Sequence, residues 1–269
     1  MYRLILAAIL GLCLVLPAGA TSATAGSSEA GRPQLPAAEV ATFSNRVQQD
    51  LAARSAKVAI VARMGRNPAS LPRGVRYTHV SFWVFSTITD AQGRKGTGYR
   101  VYNLYQDGKN ASRSHLVQDS PAEFFAGAYR FDAGIIIPGA ALQAKLLRVI
   151  TSPTYAGLHN PRYSVLSNPN TTAFQNCTEH TLDVLMAAAL GTSDITRIKA
   201  QTAQHFAPQV IAVGGAKRAV AVMASSAMTT TDHGATIATA TFGSIVRFMQ
   251  ANKMAAKIYR LTPEAAYRF

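Results

Sequence analysis

From residue 174 to residue 191 the chain reads Phe-Gln-Asn-Cys-Thr-Glu-His-Thr-Leu-Asp-Val-Leu-Met-Ala-Ala-Ala-Leu-Gly, and no other run constrains the fold as strongly. Asn176 followed three residues later by Glu179 is a helix-start signature. The Asn side chain accepts from an orphan backbone N–H while the Glu reaches back to the cap. Cys177 then becomes the first helical residue, where unpaired amides and the macrodipole favour thiolate over thiol. Gly191 supplies a stop. Leu182, Leu185, Met186 and Leu190 fall at helical spacing, which anchors the helix in a core. A cysteine at the mouth of a buried helix is a geometry in which cysteine hydrolases present their nucleophile.

The rest of the chain sets the context for that thiol. With 269 residues, 48% of them hydrophobic and 15% charged, the composition suits one globular domain with a sizeable core. The first 25 residues differ: Arg3 precedes an apolar run over 4–16, then Pro17 and two small-x-small sites, Ala18-Gly19-Ala20 and Ala23-Thr24-Ala25. This reads as a cleaved secretory signal, too short to span a bilayer, and points to a periplasmic or secreted protein. Cys13 follows Leu12, where lipid attachment wants a small residue, so lipidation is disfavoured. Removing the signal leaves Cys177 as the one cysteine, so no internal disulfide can form in an oxidising compartment. Such a thiol is either a small buried hydrophobe or a functional group. The net charge of +14 suits anionic lipid or acidic envelope polymer, and export argues against nucleic acid. The basic residues are scattered, as on a solvated surface.

Residues 26–37 form a flexible linker rich in Ser, Ala, Gly and Pro, and 38–269 a single domain. A helix from Ala37 carries Val40, Phe43, Val47 and Leu51 on one face. Residues 57–63 make a buried strand and 64–76 a loop. The aromatic and β-branched runs 77–85 and 99–105, joined by turn chemistry over 90–96, predict a hairpin that brings His79 toward residues 103–107. Ser120-Pro121-Ala122-Glu123 opens a short helix with a capping box. A strand over 133–137, a helix over 140–150 and a long Pro-containing loop over 151–175 follow; loops of that length are usually functional. Asp194 caps another helix. Strands are expected over 210–213 and 219–223, a helix around Phe242, Ile245, Val246 and Met249, and a last strand over 257–261. Polar residues exclude a membrane span in the Ala- and Thr-rich stretch 221–240. The order of elements predicts an α+β domain.

Thiol catalysis needs a base within hydrogen-bond reach of sulfur and a third group orienting that base. His79 is the preferred base, with Asn103, Gln106 or Asp107 across the hairpin to orient it; an amide there fixes the tautomer without adding charge. His180, one turn after Cys177, is a rival base. Cys-x-x-His without a second pair is a poor zinc signal, and neither metal nor cofactor is expected. Asp232-His233 with His159 reads better as a turn than as a site. Arg63 and Arg66, just ahead of the loop before His79, are candidates for meeting an anionic substrate.

The Asn-Cys-Thr-Glu-His run opening a helix, with Thr-His-Val opening a strand about a hundred residues earlier, resembles the circularly permuted papain-like cysteine hydrolases. That group holds relatives of the NlpC-type cell-wall amidases and the lecithin:retinol acyltransferases. Within it, residues 58–66 and 76–80, Val101-Tyr102-Asn103-Leu104 and Gln175-Asn176-Cys177 resemble the exported bacterial family named domain of unknown function 2145. The likeness covers most of residues 45–262. It implies a permuted papain-like fold, an antiparallel sheet packed against a helix with the cysteine at its N-terminus. Cys177 matches the nucleophile, His79 the base and Asn103 the polar third position. In the NlpC-type enzymes that third residue follows a short hairpin, whereas Asn103 comes 24 residues after His79. The oxyanion hole would use the Cys177 N–H plus a side-chain donor, Gln175 or Tyr163. The expected function is an exported thiol hydrolase or acyltransferase acting on a cell-wall peptide or lipid acyl group. The alternatives are a non-catalytic envelope binding or assembly protein of the same fold and, third, a metal-binding protein using His180.

Overall fold

The computed structural model describes residues 35–89, 92–212 and 228–269. The expected signal segment, nearly all of the expected linker and the strand expected over 219–223 lie outside them. The domain is α+β, built on a seven-stranded sheet ordered β4-β3-β2-β1-β5-β8-β9 whose pairings are all antiparallel. The strands are β1 (Val58–Met64), β2 (His79–Thr89), β3 (Lys95–Gln106), β4 (Ser114–Asp119), β5 (Arg130–Pro138), β8 (Ala255–Leu261) and β9 (Ala266–Arg268); β6 (Gln209–Val210) and β7 (Ala238–Thr239) pair separately.

Strand β1 lies at the centre and is buried at every position, which is why it reads as a continuous apolar run instead of an alternating one. Its even-numbered residues Val58, Ile60, Ala62 and Met64 face one core, with Val80, Phe82 and Val84 of β2. This core is closed by α5 (Cys177–Leu190), α3 (Ala140–Ile150), α6 (Ile195–His205) and α7 (Phe242–Ala251). Ala59 and Val61 face the other core with Trp83 of β2, under α1 (Ala37–Ala53) and α2 (Pro121–Ala126). The α1 stripe is the expected one: Val40, Phe43, Val47 and Leu51 are buried. Each such side chain contributes roughly 1.5–3 kcal/mol by leaving water, so two cores stand on one sheet.

Local signals placed most ends. The capping box at Ser120 and Glu123 is formed, starting α2 behind Pro121. Asp194 caps α6 by accepting from Thr196 and Arg197 N–H groups. Gly191 ends α5 in the left-handed region at φ +67°, where a Cβ would be costly. Strand β4 was not foreseen, because only one edge of it is paired and its apolar content is two residues. The long stretch over 151–175 holds a short helix α4 (Pro153–Gly157) and is stitched to the site by a parallel bridge between Tyr163 and Gln175.

Candidate active site

Helix α5 is buried over 177–188, polar residues included, so its first turn must satisfy its charges internally. Asn176 caps it in extended geometry, its side-chain oxygen accepting from the Glu179 N–H at 2.9 Å. The second half of the expected capping box is absent. Glu179 instead takes Lys199 Nζ of α6 at 2.6 Å, and Lys199 also reaches Asp183 at 2.8 Å. A buried lysine between two carboxylates on successive turns is the stronger partner for Glu179. Asn176 also donates to Val165 O at 2.9 Å, which ties the long loop to the helix mouth.

Cys177 is the first residue of α5 and is 4% exposed. It packs with Leu104 and Tyr163 and opens onto a cavity of about 240 Å³. Tyr77, Thr78, Tyr163, Leu166, Asn176 and Thr239 line that cavity, with Arg66 among its walls and, among the described residues, no carboxylate. The helix mouth does not dominate the titration of the thiol: burial pushes it up, against the opposing pull of the Val80 N–H, Thr178 and Arg63. At neutral pH Cys177 is a thiol, not the thiolate that the helix-mouth position suggests on its own.

His79 is fully buried at the start of β2. Its Nε2 lies 3.0 Å from Asn103 Oδ1, its ring stacks on Tyr105 at 5.0 Å and it approaches Phe124 of α2 at 5.4 Å. Burial and the Arg63 charge hold the imidazole well below the usual histidine range, so it is neutral. Its Nδ1 is buried without a hydrogen-bond partner. Of the three residues weighed for the third position, Asn103 is the one bonded to His79. Gln106 donates to Ala111 O at 2.7 Å, and Asp107 accepts from Lys109 and Asn110 N–H groups in the following turn.

Strand alternation separates the two key side chains. His79, like Trp83, leaves β2 toward α2, whereas α5 covers the face of Val80 and Phe82. The sulfur's polar neighbours are Thr78 O at 4.0 Å and Thr178 Oγ1 at 3.8 Å; no hydrogen bond joins it to the imidazole. Both groups meet the β2 backbone where it parts from β3, since the β2–β3 ladder ends at the Phe82–Tyr102 pair.

The other candidates take definite places. Gln175 is buried with its whole amide in use: Nε2 donates to Leu158 O at 3.0 Å and Asp183 at 2.8 Å, and Oε1 accepts from Asn160 N at 2.9 Å. Its bonds fit support of the helix mouth better than donation to an oxyanion. Tyr163 is buried beside the sulfur. Arg63 lies in the expected strand, β1, opposite His79, but is 1% exposed, its guanidinium over the Phe124 ring at 5.3 Å and bonded to Phe124 O. Arg66 remains exposed at the cavity. His180 turns away to an edge contact with Tyr155 at 4.8 Å and to His159 at 6.1 Å. His233 bonds Leu166 O at 2.6 Å, and Asp232 holds Asn168, a loop tie. Among the described residues no three His, Cys, Asp or Glu side chains are grouped to hold a metal, and no helix is long and apolar enough to cross a membrane.

A residue missed in the sequence completes the polar group. Asp119, at the end of β4, accepts from Asn103 Nδ2 at 2.8 Å and from the Tyr105 hydroxyl at 2.5 Å. No sequence signal marked it: Ser-His-Leu-Val-Gln-Asp sets its two apolar residues side by side, without the period-2 alternation of a half-buried strand.

Fold and site together define an α+β protein with a cysteine at the mouth of a buried helix and a buried His-Asn-Asp chain beside it. Over residues 50–249 the chain matches the family described as an uncharacterized protein conserved in bacteria (DUF2145), and it belongs to that family. No curated protein and no solved structure matches it.

Proposed function

We propose that the protein is an exported cysteine hydrolase or acyltransferase of permuted papain-like topology, acting on an amide or ester through an acyl-enzyme on Cys177. The observation that carries this reading is the orientation of His79: Asn103 holds Nε2, which leaves Nδ1 as the nitrogen able to take a proton, beside the strand segment that the sulfur touches. With both groups neutral, His79 acts as general base while the thiol attacks the carbonyl, the proton passing from Sγ to Nδ1 and later to the leaving group. The Cys177 N–H, a helix-start amide with no partner inside the helix, offers oxyanion stabilisation without reorganisation, with Tyr163 as the side-chain neighbour. This chemistry requires Sγ and Nδ1 to meet in the gap beyond the last β2–β3 pair, a contact absent from the resting arrangement. Cell-wall peptide and lipid acyl groups are the substrates that suit an exported enzyme. The basic surface suits anionic envelope polymer or lipid as its surroundings.

A specific observation favours a second reading, a non-catalytic envelope binding protein: the thiol is buried and protonated and no hydrogen bond links it to His79. The two are separated by trapping. The protein is incubated with activated acyl thioesters and p-nitrophenyl esters, and intact mass is recorded after acid quench. The hydrolase reading expects an acyl adduct on Cys177 that turns over, is lost in Cys177→Ala and forms at least tenfold more slowly in His79→Gln. No adduct with any donor, or adduct formation indifferent to His79→Gln, supports the binding protein.

A further inference from the structure

We infer that Asp119 is a positioning residue that acts through Asn103 to hold His79 in the Nε2–H tautomer. The inference deepens the hydrolase reading and takes from it the role of His79, but the arrangement itself stands on hydrogen-bond donors and acceptors alone. Burial pushes the Asp119 carboxyl up, opposed by the Tyr105 hydroxyl, the Asn103 amide and the Arg63 charge; in the ionised form that those donors favour it can only accept. Asp119 Oδ2 lies 2.8 Å from the Asn103 amide and 2.5 Å from the Tyr105 hydroxyl. Asn103 must therefore turn its NH₂ toward Asp119, because the reverse orientation would set two acceptor oxygens against each other. Turning NH₂ one way turns Oδ1 the other, and Oδ1 is 3.0 Å from His79 Nε2. An acceptor there requires the imidazole to carry its proton on Nε2. The ring is neutral, so it carries one proton, and Nδ1 is left as a bare lone pair.

The surroundings remove alternatives. His79 and Asn103 are both fully buried, so water cannot supply a compensating donor. Stacking of the ring on Tyr105 at an interplanar angle of 18° blocks a tilt that would bring Nδ1 toward Asn103. Tyr105 thus serves the chain twice, as a wall for the imidazole and as a second donor to Asp119. The β3–β4 pairing that places Val101 opposite Asp119 and Asn103 opposite Val117 keeps amide and carboxylate on one face at diagonal spacing. Strand β4 accordingly does more than cover an edge: its last residue sets which nitrogen of a side chain two strands away can accept a proton.

The test reads the tautomer directly in the full chain by long-range ¹H–¹⁵N correlation of the imidazole nitrogens, with His79 assigned from the signal missing in His79→Gln. Wild-type protein is expected to show the Nε2–H pattern. In Asp119→Asn the new amide can both donate and accept, so Asn103 is free to turn over, and the tautomer ratio is expected to move toward Nδ1–H by about tenfold or more, the scale of one lost charge-assisted hydrogen bond. Tyr105→Phe leaves the carboxylate in place and is expected to keep the Nε2–H form. An Nδ1–H pattern in wild type, or an unchanged pattern in a folded Asp119→Asn, overturns the inference. Should Asp119→Asn fail to fold, Asp119→Ser takes its place, with the same move toward Nδ1–H expected and an unchanged ratio overturning the inference. Because the readout is a ring nitrogen and not turnover, failure of the hydrolase reading in the acyl-trapping experiment leaves this result standing, and the converse holds too.

Discussion

Asn103 Oδ1 lies 3.0 Å from Nε2 of His79, a bond across a sheet whose β2–β3 ladder has already ended. It closes the mouth of the fork with side chains where backbone pairing has stopped. Asn103→Ala strands His79 Nε2 and removes a donor from Asp119, each loss costing about 1–3 kcal/mol in a buried setting. Urea denaturation is expected to show the midpoint falling accordingly with the slope unchanged. A change under about 0.5 kcal/mol, the range of ordinary surface substitutions, would show that the bridge carries no load.

Burial governs the thiol. Because Cys177 is pushed up from the ordinary thiol range, the folded state keeps a proton that the unfolded state releases as pH rises through that range. Stability present at neutral pH is therefore lost on the alkaline side. Iodoacetamide labelling of the native protein, followed by intact mass, is expected to be slow at pH 7 and to accelerate steeply above pH 9. Rapid labelling at pH 6 to 7 would show a thiolate at rest and refute this reading of the site.

Two buried histidines and a half-buried one set the acid limit. Burial holds His180 down at about 3 and His159 at about 4, and His79 lies well below its usual range. The unfolded chain takes up these protons as pH falls through about 6.5 while the folded chain does not, so stability is full above that pH and declines below it. Glu179 and Asp183, both raised by burial, act in the opposite sense. The expected measurement is thus a difference: the acid slope of stability is shallower in His180→Leu than in wild type between pH 6 and 4. Equal slopes would mean that His180 is protonated in the fold.

Among the described residues the Lys199 ammonium is the cation bonded to Glu179 and Asp183, with all three side chains buried. Lys199→Met leaves two carboxylates without it, and breaking a buried ion pair from one side costs roughly 3–5 kcal/mol. Thermal or chemical unfolding is expected to show that loss. Adding Glu179→Gln, which removes one of the stranded charges, is expected to recover part of it. No recovery in the double variant would place the role of Lys199 outside this cluster.

Local chemistry written in neighbouring residues was legible. Asn176 and Gly191 bracket α5, Ser120 and Glu123 start α2, and the α1 stripe is the buried one. These are properties of segments, set by capping geometry and by the periods of helix and strand, and they need no knowledge of what lies opposite. The match over residues 50–249 likewise identifies the family that the short motifs suggested.

Pairings across the sheet were legible only in outline. The hairpin signals brought His79 toward residues 103–107 and the family resemblance pointed to Asn103, yet its bond to His79, with Gln106 and Asp107 turned to other partners, rests on the end of the ladder and on β4, an element with little apolar content. Arg63, the last residue of the strand expected over 57–63, looked like a cation that could meet substrate; in space it is buried and roofed by Phe124. Glu179 looked like half of a capping box because the cap is local, and the stronger partner, Lys199, is 20 residues away.

By itself, then, the order of residues determined the ends of α5 and the starts of α2 and α6, that a lone cysteine in the domain would stand at a helix mouth, and that a histidine would open a strand. Only the tertiary structure decided the state of those groups: which side of β2 each one takes, that burial outweighs the helix field at the sulfur, and that Asp119 stands behind Asn103. The physical reason is range. Capping and periodicity act within one or two turns of the chain, whereas desolvation and hydrogen-bond partnership depend on every group packed around an atom, most of them supplied by distant segments.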